Sequence, residues 1–269
     1  METIGFLGGG NMAEAFIKGI TAAKVYKPEN IFVSDIRAER LDFLAKEYGV
    51  KTAEANSELA AKVDILVLSV KPQSMTEALE SIAIVLKKDL LVISIAAGIK
   101  VANIADALGD VAIIRVMPNT PALIGEGASA LFANDKAKPM LDKAKSIFSA
   151  VGEAVVVDNE DLIDAVTAAS GSGPAYYFLL IEEMIKAACE LGLPREVAKN
   201  LVLQTAKGAA LLAVEAERGG ESLAELRQKV TSPGGTTEAA MKVFAANNFS
   251  QLIVDALTAA RDRSRELSG

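Results

Sequence analysis

Thr3-Ile4-Gly5-Phe6-Leu7 is a short apolar run that passes straight into Gly8-Gly9-Gly10-Asn11-Met12-Ala13, after which Glu14, Ala15, Phe16 and Ile17 carry a helical pattern. A strand, a glycine turn and a helix start, in that order, leave few folds open. Gly8 can turn the backbone sharply, Gly10 leaves room for a pyrophosphate beside the main chain, and Ala13 lets the helix pack close to the strand. The unpaired N–H groups of the first helical turn, around Asn11 and Met12, then face the phosphates, and the helix dipole adds to the attraction. A turn that serves packing alone is the competing explanation. The flanking strand and helix favour a dinucleotide site.

The same unit recurs downstream. Residues 30–35 read as a second strand and 38–48 as a helix, followed by a brief strand at 49–53 and a short helix at 56–61. Residues 64–70 form a continuous apolar strand of the kind covered on both faces, and Lys71-Pro72-Gln73 leads into a helix toward Ile84. A strand at 90–95, the turn Ala96-Ala97-Gly98 and a helix at 101–108 repeat the pattern. The strand at 111–116 ends in Met117-Pro118-Asn119-Thr120-Pro121, and 127–132, a helix at 136–150 and a strand at 154–157 complete an α/β, doubly wound, mostly parallel sheet of Rossmann type.

The period changes near residue 158. Helices are expected at 162–169, 174–191, 195–217, 222–230, 236–246 and 249–266, with no convincing strand among them. Residues 1–158 are therefore expected to form a dinucleotide-binding domain, and 159–269 an all-helical domain for dimerisation and substrate binding. Tyr176-Tyr177-Phe178-Leu179-Leu180-Ile181 is apolar around most of its helix, as are Leu201-Val202-Leu203 and Ala209-Ala210-Leu211-Leu212. Such helices must be enclosed, either by their own chain or by a partner, and a homodimer with interdigitated helices is expected.

The chain has no histidine, so the usual acid/base near neutrality and the commonest transition-metal ligand are both missing, and no metal site is expected. A formal charge of −7 argues against a general nucleic-acid surface. Cys189 is the only cysteine, which excludes an intrachain disulfide and reads as a packed thiol in a reducing compartment. No apolar run reaches the roughly eighteen residues of a membrane span, because Lys87-Lys88-Asp89 interrupts the longest candidate, and the amino terminus lacks a targeting pattern. A soluble cytoplasmic protein with no membrane association is expected.

Ribose selectivity is read after the second strand. Asp35 can accept hydrogen bonds from both ribose hydroxyls and so favour NADH, whereas Ser34 and Arg37, with Arg40 one helical turn on, can receive the 2′-phosphate of NADPH. The balance leans to NADPH, with NADH use expected as well. Val70, Lys71 and Pro72, and then Ala96, Ala97 and Gly98, lie at the carboxyl ends of parallel strands, where such sheets hold ligands. Asn119 and Thr120 offer hydrogen bonds in a loop stiffened by two prolines. In the second half, Ser232-Pro233-Gly234-Gly235-Thr236-Thr237-Glu238 opens a helix with glycines and hydroxyls, an arrangement suited to a small carboxylate. Its alternative is an elaborate cap, with Thr236 capping and Glu238 supporting the first turn.

Taken together, Ile4 to Ala13, Val70-Lys71-Pro72-Gln73, Arg115 to Pro121, Gly171-Ser172-Gly173-Pro174-Ala175-Tyr176 and Val230-Thr231-Ser232-Pro233-Gly234-Gly235-Thr236-Thr237 make the chain resemble the pyrroline-5-carboxylate reductases over nearly its whole length. The first element is shared by many dehydrogenases; the last is far more specific. The resemblance implies an NAD(P)H-binding amino-terminal domain, a helical dimerisation domain with swapped helices, dimers that can assemble further into decamers, and reduction of 1-pyrroline-5-carboxylate to L-proline. It also implies that Ser232, Gly235, Thr236 and Thr237 form the substrate-carboxylate loop, with the Thr237 hydroxyl near the ring nitrogen. From the residues themselves, Gly234 and Asn119 are expected to bind the imino-acid substrate as well, the alternative for Asn119 being a structural turn alone.

That chemistry suits a chain without histidine, since a protonated cyclic imine is already an electrophile and the protein's work is alignment. Two alternatives stay open on sequence alone. One is a reductase or dehydrogenase of another small carboxylate, for which Lys186, Lys199, Lys207 or Lys242 would be the lysine near the reacting oxygen. The other is a dinucleotide-sensing protein without turnover.

Overall fold

The computed structural model describes residues 2–267. The first half builds β1 (Ile4–Leu7), α1 (Asn11–Ala22), β2 (Ile31–Ser34), α2 (Ala38–Tyr48), β3 (Lys51–Thr52), α3 (Asn56–Lys62), β4 (Ile65–Leu68), α4 (Met75–Glu80), β5 (Leu91–Ser94), α5 (Val101–Leu108), β6 (Ala112–Met117), β7 (Gly127–Ala133), α6 (Leu141–Ser149) and β8 (Gly152–Val156). The rest is helical: α7 (Leu162–Val166), α8 (Gly173–Glu190), α9 (Arg195–Arg218), α10 (Leu223–Lys229), α11 (Thr236–Ala246) and α12 (Phe249–Leu267).

All eight strands join one sheet in the order β3-β2-β1-β4-β5-β6-β7-β8. Strands β1 to β6 run parallel, β7 turns antiparallel to β6, and β8 runs parallel to β7. The central strands β1, β4 and β5 are buried along their whole length, as continuous apolar runs in a sheet covered on both faces must be. Alternate side chains divide between two cores: Ile4, Phe6, Ile65 and Val67 face one layer, and Leu7, Leu66 and Leu68 the other. The chain order reverses at β1, whose neighbours are β2 and β4. A ligand crevice opens at the carboxyl end of such a switch.

Several elements are shorter than their apolar patterns imply. The expected helix from 71 toward Ile84 begins as a 3-10 turn, Pro72–Ser74, and its α-helical part ends at Glu80, leaving Ile84 95% exposed and outside the core. The helix expected at 136–150 starts at Leu141, after a 3-10 turn in which Pro139 sits near the start. The helix expected at 162–169 stops at Val166 and widens into a π-helical turn, Thr167–Gly171.

Two compact units result. One holds the residues up to Pro174 together with those from Ala259 onward; the other is Ala175–Thr258. The strands end at Val156, close to the change of period at 158, but α7 and the end of α12 belong to the same compact unit as the sheet. There the Ser264 hydroxyl donates to Asp164 Oδ1 at 2.7 Å, both side chains being buried. Within the second unit, Ala198 and Val202 are the buried apolar residues, whereas Tyr177, Phe178, Leu179, Leu201, Leu211 and Val243 are exposed. So much uncovered apolar helix is the mark of an interaction surface. Among the described residues, no helix is long and apolar enough to cross a membrane.

Candidate active site

The glycine turn sits at the switch point with its conformation fixed from three sides. Gly8 has φ +101°, and a Cβ there would lie 2.8 Å from the Ser69 carbonyl oxygen, so glycine is required by the fold itself. Its N–H donates to the Ser34 carbonyl at 2.8 Å, and the Ser69 hydroxyl donates to the Gly8 carbonyl at 2.7 Å. Gly10 differs. No described atom lies within 4 Å of where its Cβ would stand, and it precedes α1 without any side-chain cap. The protein's own packing does not demand a glycine here, and the space beside this stretch of backbone is open. The first-turn N–H groups of Asn11, Met12 and Ala13 stand at a helix start without a side-chain cap, where an anion can be received.

The residues after β2 are more committed to the protein than their types imply. Asp35 Oδ2 accepts the N–H of Gly9 at 2.8 Å and Arg37 Nη2 at 3.2 Å, while Oδ1 accepts both the N–H and Nε of Arg37 at 3.0 Å. Four donors fill two carboxylate oxygens. Burial alone would raise the Asp35 carboxyl, but the bonds from Arg37 and Gly9 outweigh it and hold the group below its ordinary range. The Ser34 side chain is buried and donates to Asn56 Oδ1 at 2.9 Å. Arg40 donates to the Gly9 carbonyl and pairs with Glu14, which also accepts the Tyr48 hydroxyl at 2.8 Å. Burial and Glu14 push the Tyr48 phenol up to about 12, so it remains a donor. Arg37, with about half of its side chain exposed, is the cation of this group that faces solvent. The parts played by Asn56, Glu14, Tyr48 and Ser69 were not visible in the sequence, because none lies in a recognisable motif.

Val70 flanks Gly8, Lys71 and Pro72 are exposed just beyond β4, and Ala97 is exposed after β5 while Ala96 is buried. Gly98 has φ +73°, and a Cβ there would come within 3.1 Å of the Leu267 carbonyl oxygen, so the end of α12 explains this glycine. Asn119 is also engaged by the protein. Its Nδ2 donates to the carbonyl and hydroxyl of Ser170 at 3.3 Å, and its Oδ1 accepts the Ala128 N–H at 2.8 Å, which ties the loop after β6 to the π-helical turn and to β7.

In the second unit, Ser232, Gly234, Gly235, Thr236 and Thr237 gather where α11 begins. Gly235 is the N-cap and no side chain caps the helix, so Thr236 stands inside the first turn rather than capping it. The Gly235 N–H donates to the Ser232 carbonyl at 2.9 Å, and the Gly234 N–H donates to Glu238 at 2.9 Å. The two glycines thus shape the loop, Gly234 with φ +72°, and the first-turn N–H groups of Thr236 and Thr237 are left to meet an anion. Three of the four lysines that a hydroxy-acid chemistry would need, Lys186, Lys199 and Lys242, instead pair with glutamates on their own helices.

A doubly wound sheet with a ligand-ready glycine turn at its switch point, followed by a helical half with an uncapped, hydroxyl-rich helix opening, defines a two-part dinucleotide-dependent oxidoreductase. Comparison with known proteins narrows the class. Residues 160–267 match the family described as pyrroline-5-carboxylate reductase dimerisation, and residues 3–98 match NADP oxidoreductase, coenzyme F420-dependent. The pyrroline-5-carboxylate reductase of Pseudomonas aeruginosa is 48% identical, over 98% of this chain and 96% of that protein. Among solved structures, the reductase of Coxiella burnetii superposes with a TM-score of 0.94 at 43% identity, covering 100% of this chain and 99% of that one. The Plasmodium falciparum enzyme, solved with NADP bound, gives 0.87 at 32% identity, covering 100% and 98%. The chain belongs to the pyrroline-5-carboxylate reductases.

Proposed function

We propose that this chain reduces the carbon–nitrogen double bond of 1-pyrroline-5-carboxylate to give L-proline, with NADPH as its main reductant and NADH also accepted. The observation that carries this is the family match along the whole chain, together with a glycine turn that leaves open space beside Gly10. NAD(P)H, when bound, supplies the hydride. The chain's residues bind and orient. Gly8, Gly10 and the first-turn N–H groups of Asn11, Met12 and Ala13 hold the pyrophosphate. Ser34, Asp35 and Arg37 form the adenosine-ribose end, where the Arg37 guanidinium is the group able to meet a 2′-phosphate. Val70, Lys71, Pro72, Ala96, Ala97 and Gly98 line the remainder of the cofactor's course, with the small side chains of Ala96 and Ala97 letting the nicotinamide approach.

The substrate carboxylate is assigned to the N–H groups of Thr236 and Thr237 and to the Ser232 hydroxyl, in a loop shaped by Gly234 and Gly235, while Asn119 holds the β6 loop. The Thr237 hydroxyl orients the ring nitrogen. It does not act as an acid, because an aliphatic hydroxyl does not ionise near neutrality. The protonated imine brings its own electrophilicity, so positioning is the catalytic contribution. The exposed apolar surface of α8 and α9 supports a homodimer built through residues 159–269, and ten-subunit assembly of such dimers belongs to the same proposal. The single cysteine, Cys189, supports a cytoplasmic setting.

The test is loss of reduced-nicotinamide absorbance on adding 1-pyrroline-5-carboxylate, run separately with NADPH and NADH, with proline measured as product. Cofactor binding without turnover of that substrate would reject the proposal.

A further inference from the structure

Arg115 is 2% exposed, the largest side chain buried to this degree among the described residues, and it stands within β6 in register with Ser94 of β5 and Phe132 of β7. Its Nη1 donates to Glu160 Oε1 at 3.0 Å, while its Nε has no hydrogen-bond partner among the described residues. The same Glu160 oxygen accepts the N–H of Val101 at 2.8 Å, the first residue of α5. One carboxylate oxygen therefore bridges a buried strand cation and the helix that immediately follows the Ala96–Gly98 turn. The same end of the turn is backed by the Leu267 backbone, which lies against Gly98.

Such a pair is a poor way to gain stability. Burying a guanidinium costs several kcal/mol, and well-packed apolar replacements of a buried pair are often at least as stable. What the pair does provide is direction. It fixes the start of α5 relative to β6, and with it the α5 end of a short turn containing Ala97, which is exposed.

We propose that Glu160 is a positioning residue of the reductase. Through Arg115 and the Val101 N–H it sets the place of the Ala96–Gly98 turn, and that turn sets the nicotinamide half of the cofactor. This rests on the cofactor course assigned above. Glu160 touches neither cofactor nor substrate in this account, and its hydrogen bonds run to Val101 and Arg115.

The experiment compares the full chain with Glu160→Gln and with the double variant Arg115→Met/Glu160→Leu, which removes both charges and leaves no orphaned one. Two ligands are titrated: NADPH, and 2′-phospho-ADP-ribose, which lacks the nicotinamide. Both variants should bind the fragment within about twofold of wild type while NADPH affinity falls about tenfold, with kcat reduced about tenfold or more, the scale of a sub-ångström to ångström misplacement. Equal weakening of both ligands, or unchanged NADPH affinity and kcat in a double variant that melts like wild type, overturns the proposal. So does failure of the double variant to fold, since the pair would then serve stability. Absence of pyrroline-5-carboxylate turnover in the wild type would reject the assigned reaction instead, and the affinity ratio of the two ligands would still decide the role of Glu160.

Discussion

Asp35 Oδ2 accepts the N–H of Gly9 at 2.8 Å, so the residue that follows β2 shapes the turn that follows β1. Its remaining acceptor capacity is spent on Arg37. The carboxylate expected to read the cofactor's ribose also braces two loops, and the exposed Arg37 guanidinium is what it holds out to solvent. Expectations for variants change accordingly.

Asp35→Ala should weaken NADPH and NADH binding together, since the glycine turn loses its brace, and should leave the ratio between them little changed. Separate titrations of the two cofactors check this; a clear rise in NADPH preference would show the carboxylate facing the ribose. The same variant should lose about 2 kcal/mol of stability at neutral pH, the scale of hydrogen bonds to a charged acceptor. Because the folded-state Asp35 carboxyl lies below its ordinary 3.8, this contribution is present above that value and is lost as pH falls through the folded value. Denaturation curves of variant and wild type should therefore converge in acid.

Arg37→Ala should cost NADPH about tenfold in affinity while NADH binding stays near wild type, because only the former carries a phosphate for the guanidinium to meet. Equal affinities for both cofactors before and after the change would place the phosphate elsewhere.

Gly8 and Gly10 should fail in opposite ways. Gly8→Ala forces a side chain into φ +101° and against the Ser69 carbonyl, and should destabilise the fold by more than about 1 kcal/mol. Gly10→Val places its side chain in open space next to an extended backbone with φ −67°, so melting should be nearly unaffected while cofactor affinity drops. Thermal melting paired with NADPH titration separates the two.

Thr237→Ala should reduce kcat/KM for 1-pyrroline-5-carboxylate about tenfold or more, the worth of one oriented hydrogen bond to a charged ring nitrogen, with NADPH affinity unchanged. Thr237→Ser should recover most of the loss. Steady-state kinetics indistinguishable from wild type in the alanine variant would remove the hydroxyl from the mechanism.

Local pattern alone was enough for the strand-turn-helix at Ile4 to Ala13, for the apolar strands at 65–68 and 91–94, for the helix at 101–108 and for the start of α11 at Thr236, because each is dictated by residues adjacent in the chain. Motif residues in sequential order likewise identified the family. Contacts between distant residues needed the tertiary structure. Nothing near Asp35 in the sequence shows that Gly9 will claim its carboxylate, nothing near Gly98 shows that Leu267 will lie against it, and the buried Ser264–Asp164 bond joins residues 100 positions apart. The physical reason is that composition and periodicity decide which groups are buried, whereas a charged or polar group inside the fold takes whichever partner the packed chain delivers within about 3 Å. The sequence thus determined what kind of site this protein has, and only its three-dimensional packing decided which of the site's polar residues remain available to a ligand.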